Sequence, residues 1–258
     1  MLDINGVKIT GDNVARAIDF NFPDGIINCA AIMKKRWYNY LILFGIRVRT
    51  CDTSVPDDVI GGIRLKKGFF GYDYWEILMV DATTDPSPSY LRTPLADAKS
   101  LGGTAWVVEG QYEYYRPNAY FDGFPQFRPT KPVAVYRWNP TQKEINDLTK
   151  KGIPLSNGFE EAKANGKVKI DATASVLIHR SWSNNKLSND SAGCQVFANN
   201  GALLTINKWA KEHEYIYKSN KFVYNLFTKE MFSNDSILYG DIFNSNTNNL
   251  LNPINMSF

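Results

Sequence analysis

The segment from Ser175 to Asn199 holds the two residues best suited to covalent chemistry, Cys194 and His179. A cysteine attacks a carbonyl carbon as the thiolate, so it needs a nearby base, partial exposure and donors for the developing oxyanion. His179 precedes Cys194 by 15 positions, and the polar stretch between them can fold back as a loop. We therefore predict that Cys194 is a nucleophile and that His179 is its base.

Several neighbours of this pair could assist it. Ser191 and Gly193, just before the cysteine, are small enough to let a substrate and backbone amides approach the sulfur closely. Arg180 and Trp182 could bind a carboxylate or pack on a peptide substrate; an exposed loop arginine and a core tryptophan are the alternatives. His213 could serve as base in the reversed order, but it lies only 19 residues downstream on a predicted helix.

The other chemistry-bearing residues argue against metals and disulfides. The chain has three cysteines, Cys29, Cys51 and Cys194, which are widely spaced and odd in number, so neither a disulfide framework nor a CxxC site is expected. With only two histidines and no HExxH spacing, a metal mechanism is disfavoured, and we expect no metal and no cofactor.

Composition indicates a folded protein rather than a polyanion binder. Of the 258 residues, 44% are hydrophobic and 14% aromatic, which suits one large domain, and the net charge of +3 does not predict nucleic-acid binding. The N-terminus lacks the basic and apolar regions of a signal peptide. The apolar run 41–46 is far shorter than the roughly 20 residues of a membrane span, so neither a signal nor a span is expected.

The elements that must position the pair are mostly strands. Runs of β-branched and aromatic residues predict strands within 38–49, 57–71, 74–80, 104–108, 112–115, 132–136, 174–178 and 221–227, the seventh of which delivers His179 at its end. Helices are predicted at 26–37, 139–152, within 157–169 and at 201–214, the last capped by Asn199 or Asn200. The chain divides into an N-terminal extension (1–24), a main domain (25–229) and an Asn-rich C-terminal tail (230–258).

The order of a histidine, a polar loop and S-x-G-C, present here as IHR and SAGCQVFAN, resembles the L,D-transpeptidase catalytic (YkuD-like) domain in the divergent form encoded by tailed phages. The resemblance covers roughly residues 26–227. It implies a mainly β (α+β) fold, a YkuD-like β-sandwich or barrel with a few flanking helices. It further implies that a peptidoglycan stem peptide acylates Cys194, that His179 is the base, and that the Gly193 to Cys194 backbone forms the oxyanion hole with Ser191 in support.

This resemblance also has consequences for biology. Ala192 stands where the family usually has a second histidine, and the loop before Cys194 is shorter than usual, which we expect to alter substrate specificity more than the nucleophile. A chain of this kind without a signal peptide is expected in a virion, in the phage tail or particle, or in the host cell at lysis. Other virion proteins are the expected partners of its Asn-rich C-terminal segment. Two alternatives stay open: a structural virion protein with a retired site, and a thiol hydrolase acting on another amide.

Overall fold

The computed structural model describes residues 3–4, 7–48, 56–118, 123–181 and 191–232. Cys51, Trp182 and nearly all of the predicted tail lie outside these ranges. The strands are β1 (Asp3–Ile4), β2 (Val7–Lys8), β3 (Leu41–Arg47), β4 (Asp58–Lys67), β5 (Asp73–Thr83), β6 (Thr104–Val107), β7 (Gly110–Tyr115), β8 (Arg128–Pro129), β9 (Val133–Trp138), β10 (Lys169–Thr173), β11 (Ile178–Arg180), β12 (Gln195–Phe197) and β13 (Lys221–Thr228). The helices are α1 (Gly11–Asn21), α2 (Cys29–Lys35), α3 (Pro88–Arg92), α4 (Ala96–Ser100), α5 (Gln142–Lys150), α6 (Leu155–Ala164), α7 (Asn200–Tyr217) and α8 (Lys229–Phe232).

One large sheet curls into a nearly closed barrel. Its strand order is β11-β12-β5-β4-β3-β13-β7-β8, and most neighbours are antiparallel, with parallel pairs at β11/β12 and β13/β3. An antiparallel bridge between Phe127 and Ile178 then joins the two edges: the Phe127 amide donates to Ile178 O at 2.9 Å and the Ile178 amide donates to Phe127 O at 3.0 Å. The predicted barrel with flanking helices is thus confirmed in outline, although the helices make the fold mixed rather than mainly β.

The barrel has apolar cores on both sides of its wall. Strand β3 is buried along its whole length, because its alternate residues face the barrel interior and the layer of α1 and α2. Helix α7 packs Leu203, Ile206 and Ala210 against the interior cluster, at the i, i+3, i+7 spacing of one helix face. Among the helices within the described ranges, none combines the length and apolarity needed to cross a bilayer.

A smaller sheet of order β10-β9-β6 lies beside the barrel and carries a third apolar cluster. The ring of Phe159, on α6, stacks on Trp106, on β6, with centroids 3.9 Å apart. This cluster supports β6, against which the candidate site rests.

Helix α1 lies within the predicted N-terminal extension, yet it packs into the main core. Thr10 caps it by accepting the Asn13 amide, and Val14, Ala17 and Ile18 are buried at i, i+3, i+4 spacing. Helix α1 therefore contributes to the same core as the barrel.

Candidate active site

The strands β11 and β12 bring His179 and Cys194 together. They are parallel neighbours in which His179 is the register partner of Val196, and Cys194, one residue before β12, packs against Val196 and Ala198. Val196 lies two residues beyond Cys194, so the cysteine directly precedes the strand that pairs with the histidine strand. From a strand spacing of about 4.8 Å and a rise of about 3.3 Å per residue, their Cα atoms are roughly 8 Å apart.

The thiol of Cys194 is half-buried and bonded to backbone. Its sulfur lies 3.4 Å from the Leu177 amide, which donates to it, and 3.8 Å from Ser175 O, to which it donates. Burial raises the pKa of the Cys194 thiol to about 11, and the Leu177 N–H offsets only part of this rise. Within the described residues the sulfur makes no hydrogen bond to His179, so this arrangement holds the thiol protonated at neutral pH.

The imidazole of His179 is buried and fixed by a backbone carbonyl. Its Nδ1 lies 2.6 Å from Arg180 O. Because a carbonyl oxygen only accepts, Nδ1 must carry the proton, and in the neutral ring Nε2 then carries the lone pair. The orientation therefore gives the ring the tautomer that a general base with Nε2 as acceptor needs.

A tight turn from Ser191 to Cys194 presents the cysteine. The buried Ser191 hydroxyl donates to Cys194 O at 2.7 Å and accepts the Gly193 amide at 3.1 Å. Gly193 has φ +126°, and a Cβ there would lie 2.5 Å from Ala105 O on β6, so the turn requires glycine. Ser87 holds the turn from outside, since its amide donates to Ser191 O at 2.7 Å.

This turn distinguishes the two amides predicted to form an oxyanion hole. The Gly193 N–H already donates to Ser191 Oγ. The Cys194 N–H makes no hydrogen bond within the part of the chain that the structure describes. Of the two, the Cys194 amide is the one left to donate a hydrogen bond to a developing oxyanion.

A buried polar network beneath the turn was not expected from the sequence. Gln195 donates through Nε2 to Thr84 O at 3.2 Å and accepts the Tyr224 hydroxyl at 2.8 Å. Arg47 donates to the same Thr84 carbonyl at 3.1 Å and forms an ion pair with Asp85 at 2.6 Å. Two features of the sequence could have indicated this network. They are an arginine at the end of an apolar run and the acidic residues of the Pro- and Ser-rich segment 81–91.

Burial and the charge of Arg47 act in opposite directions on the pKa values of the two acids in this network. Burial raises the pKa of Asp85 to about 8, with Arg47 opposing the rise and Asp58 adding to it. Burial likewise raises the pKa of Asp58, although its carboxylate accepts the Thr84 and Val48 amides. The network thus fixes the backbone of residues 84–87, against which the cysteine turn rests.

The remaining predicted residues fall in different places. The Arg180 guanidinium lies 4.2 Å from the centroid of Phe124 and donates to Ser181 O. Arg180 is next to His179 in sequence. Trp182 is outside the described residues. His213 is buried, and its Nδ1 accepts the Leu41 amide at 3.0 Å near the other end of the barrel, so it is not placed to serve Cys194.

In the described part of the chain, no group of three or more His, Cys, Asp and Glu side chains is placed to hold a metal ion. Comparisons with protein-family models, with curated proteins and with solved structures found no match to this chain. The assignment of function therefore rests on the site itself.

Proposed function

We propose that the chain is a cysteine-nucleophile enzyme of L,D-transpeptidase type that acts on peptidoglycan stem peptides, in a phage particle or at host lysis. The observation that carries the proposal is the placement of Cys194 and His179 on adjacent parallel segments, with Cys194 directly before β12 and His179 within β11. Adjacent segments of this kind can present a thiol and an imidazole to one substrate. The family resemblance of the SAGC turn supplies the substrate class.

In the proposed reaction the Cys194 side chain first rotates away from Leu177 N towards Nε2 of His179. His179 takes the thiol proton, and the thiolate attacks the substrate carbonyl carbon. The Cys194 N–H stabilises the oxyanion. When the intermediate collapses, the amine leaves with the proton from His179, and the acyl group remains on sulfur.

The acyl group is then transferred from the Cys194 sulfur to water or to an amine. Water gives carboxypeptidase or endopeptidase activity, whereas an amine gives a cross-link. We favour hydrolysis, because a phage gains more from cutting the wall than from building it. Partners in the particle would be other virion proteins that bind the Asn-rich tail.

The test is digestion of purified peptidoglycan by the wild type, Cys194→Ala and His179→Gln, with products identified by mass spectrometry. Cys29→Ala is the matched control, because Cys29 is buried in the core at the start of α2. We expect product release by the wild type and the control alone, and a covalent carbapenem adduct on Cys194. Identical product profiles for the wild type and Cys194→Ala would refute an enzymatic role.

A structural virion protein with a retired site is the second candidate, and one observation favours it. The sulfur accepts the hydrogen bond of the Leu177 amide, in the position where a backbone carbonyl would accept it in a regular sheet. Cys194 therefore contributes to strand pairing. In that case Cys194→Ala would lower the melting temperature and leave peptidoglycan untouched. The digestion assay and circular dichroism melts of the same variants together separate the two candidates, because only the enzyme candidate predicts product release by the wild type.

A further inference from the structure

The hairpin that joins β4 to β5 ends in an exposed aromatic turn. Phe69 and Phe70 are 96% and 83% exposed, and Tyr72 is 62% exposed. We call these three residues the aromatic tip. The two phenylalanine rings meet edge to face with centroids 5.3 Å apart, so they pack chiefly on each other. Adjacent phenylalanines this exposed form an apolar patch of the kind found at interaction sites.

The tip is held rigidly by its own backbone. The Gly68 amide donates to Tyr72 O at 2.7 Å, and the Gly71 amide donates to Gly68 O at 3.2 Å. Gly71 supplies the left-handed conformation of the turn, with φ +83°. Strands β4 and β5 continue below it as an unbroken antiparallel ladder to Asp58. The phenylalanines are thus presented on a rigid projection.

Cationic side chains surround the base of this hairpin. The carboxylate of Asp73, directly after the tip, lies 3.7 Å from Arg36 Nε and accepts the Tyr38 hydroxyl at 2.8 Å, which places the end of α2 against the hairpin. We call the cations at this base the basic collar: Lys34, Lys35, Arg36, Lys66 and Lys67. Lys67 has no carboxylate within ion-pair distance among the residues that the structure describes. Against these five cations stands the carboxylate of Asp73, so the collar carries a net positive charge.

The order of these residues along the hairpin follows a gradient of polarity. The two phenylalanines are outermost and Tyr72 follows. Lys67, in register with Asp73, and Lys66, in register with Tyr74, come next. A bilayer surface has the same sequence of environments, from acyl chains through the interfacial layer preferred by tyrosine to anionic headgroups that attract lysine. A convex tip also needs no complementary groove in such a partner.

We propose that the aromatic tip and the basic collar dock this protein on the surface of an anionic lipid bilayer. The phenylalanines insert at the boundary of headgroups and acyl chains, and the collar binds the lipid phosphates. The inference is independent of the proposed activity, because the tip lies at the end of β5 opposite the cysteine. The ten residue steps from Asp73 to Thr83 correspond to about 34 Å along the strand, so a docked molecule directs its candidate site away from the bilayer.

Flotation of the full chain with vesicles tests the proposal. We expect binding to vesicles of phosphatidylcholine and phosphatidylglycerol at 7:3, much weaker binding to phosphatidylcholine alone, and weakening by salt. Phe69→Ser/Phe70→Ser should lower the partition coefficient about tenfold or more. Lys66→Gln/Lys67→Gln should lower it by a factor of about five for each lysine.

Matched controls keep the result interpretable. Ile170→Ser removes another exposed apolar side chain, on β10, and Lys150→Gln/Lys151→Gln removes two cations at the end of α5. Both should bind vesicles as the wild type does, and all variants should keep its circular dichroism spectrum. Equal vesicle binding by the wild type and the tip variant would overturn the proposal. Failure of the wild type to bind vesicles would also overturn it. If sedimentation then shows a concentration-dependent dimer that the tip variant abolishes, the aromatic tip is a contact between copies of the chain.

Discussion

The protonated state of Cys194 predicts a slow thiol in the resting protein. With a pKa of about 11 against an ordinary value of 9.0, the thiolate fraction at pH 8 falls from about 9% to about 0.1%, roughly a hundredfold. A thiolate of higher pKa is more nucleophilic, and a Brønsted slope of about 0.45 over these two units recovers roughly eightfold. The balance is a rate about tenfold below that of an ordinary cysteine, before any further reduction by burial.

The assay is the reaction of the thiol with the disulfide reagent 5,5′-dithiobis(2-nitrobenzoic acid), followed by absorbance. A Cys29→Ala/Cys51→Ala background leaves Cys194 as the reacting thiol, and the same protein in urea supplies the ordinary cysteine. We expect the rate in the folded protein to rise about tenfold per pH unit from pH 7 to 9 without a plateau. Replacement of His179 by Gln should leave this resting profile unchanged while it abolishes peptidoglycan cleavage.

A plateau below pH 8.5 that is lost in His179→Gln would refute this reasoning. It would mean that the thiol and the imidazole already form an ion pair at rest. The hydrogen bonds from Leu177 N and to Ser175 O would then not describe the resting thiol.

Three further perturbations test the packing of the fold and the site. Gly193→Ala should destabilise the protein by about 3 kcal/mol in urea unfolding, because of its left-handed backbone and the Ala105 carbonyl, whereas Gly123→Ala, with φ +76° and open space, should cost about 1 kcal/mol. Ser191→Ala should cost about 1–3 kcal/mol in the same assay, since it leaves the buried Gly193 amide unpaired. Burial lowers the pKa of His213 from 6.5 to about 4, so the unfolded chain binds its proton first as the pH falls. The unfolding free energy should therefore drop by up to about 3 kcal/mol between pH 7 and pH 4, and His213→Gln should remove this part of the dependence.

The sequence predicted the elements whose signal is local. Runs of β-branched residues marked β3, β4, β5 and β13 near their observed bounds, and Asn199 caps α7 as its side chain suggested. Cys194 and His179 were identifiable because few residue types can act as nucleophile and base. Their adjacency follows from the register of β11 with β12, which no local pattern encodes.

Elements that depend on distant partners were predicted less well. Helix α1 begins Gly-Asp-Asn, which locally favours a turn, and its helical state depends on packing against the barrel. The strand expected at 174–178 is observed as β11 from Ile178 to Arg180. Directly before it, Leu177 O accepts the Gln195 amide but the Leu177 amide donates to the Cys194 sulfur, so the regular ladder begins only at Ile178. Helix α5 starts at Gln142, since Thr141 and Glu144 form a capping box that outweighs the predicted cap at Asn139.

Buried charges are the clearest case of information that is not local. Arg47 on β3 meets Asp85 and Glu109, which are far from it in sequence, and only the closed barrel brings them together. Nothing in the pattern of the strand predicts that its last residue is buried.

The bridge that closes the barrel has a dynamic consequence. Two hydrogen bonds, between Phe127 and Ile178, join edges that elsewhere are held by long ladders such as β4 with β5. Local opening of the barrel wall should therefore require the least free energy at this seam. The amides of Phe127 and Ile178 should exchange with deuterium before those of Ile60 and Ile63. His179, on β11, and Cys194, directly before β12, lie on one side of the seam. Local opening of the barrel at this seam can therefore admit solvent beside His179 and Cys194 while the two residues move together.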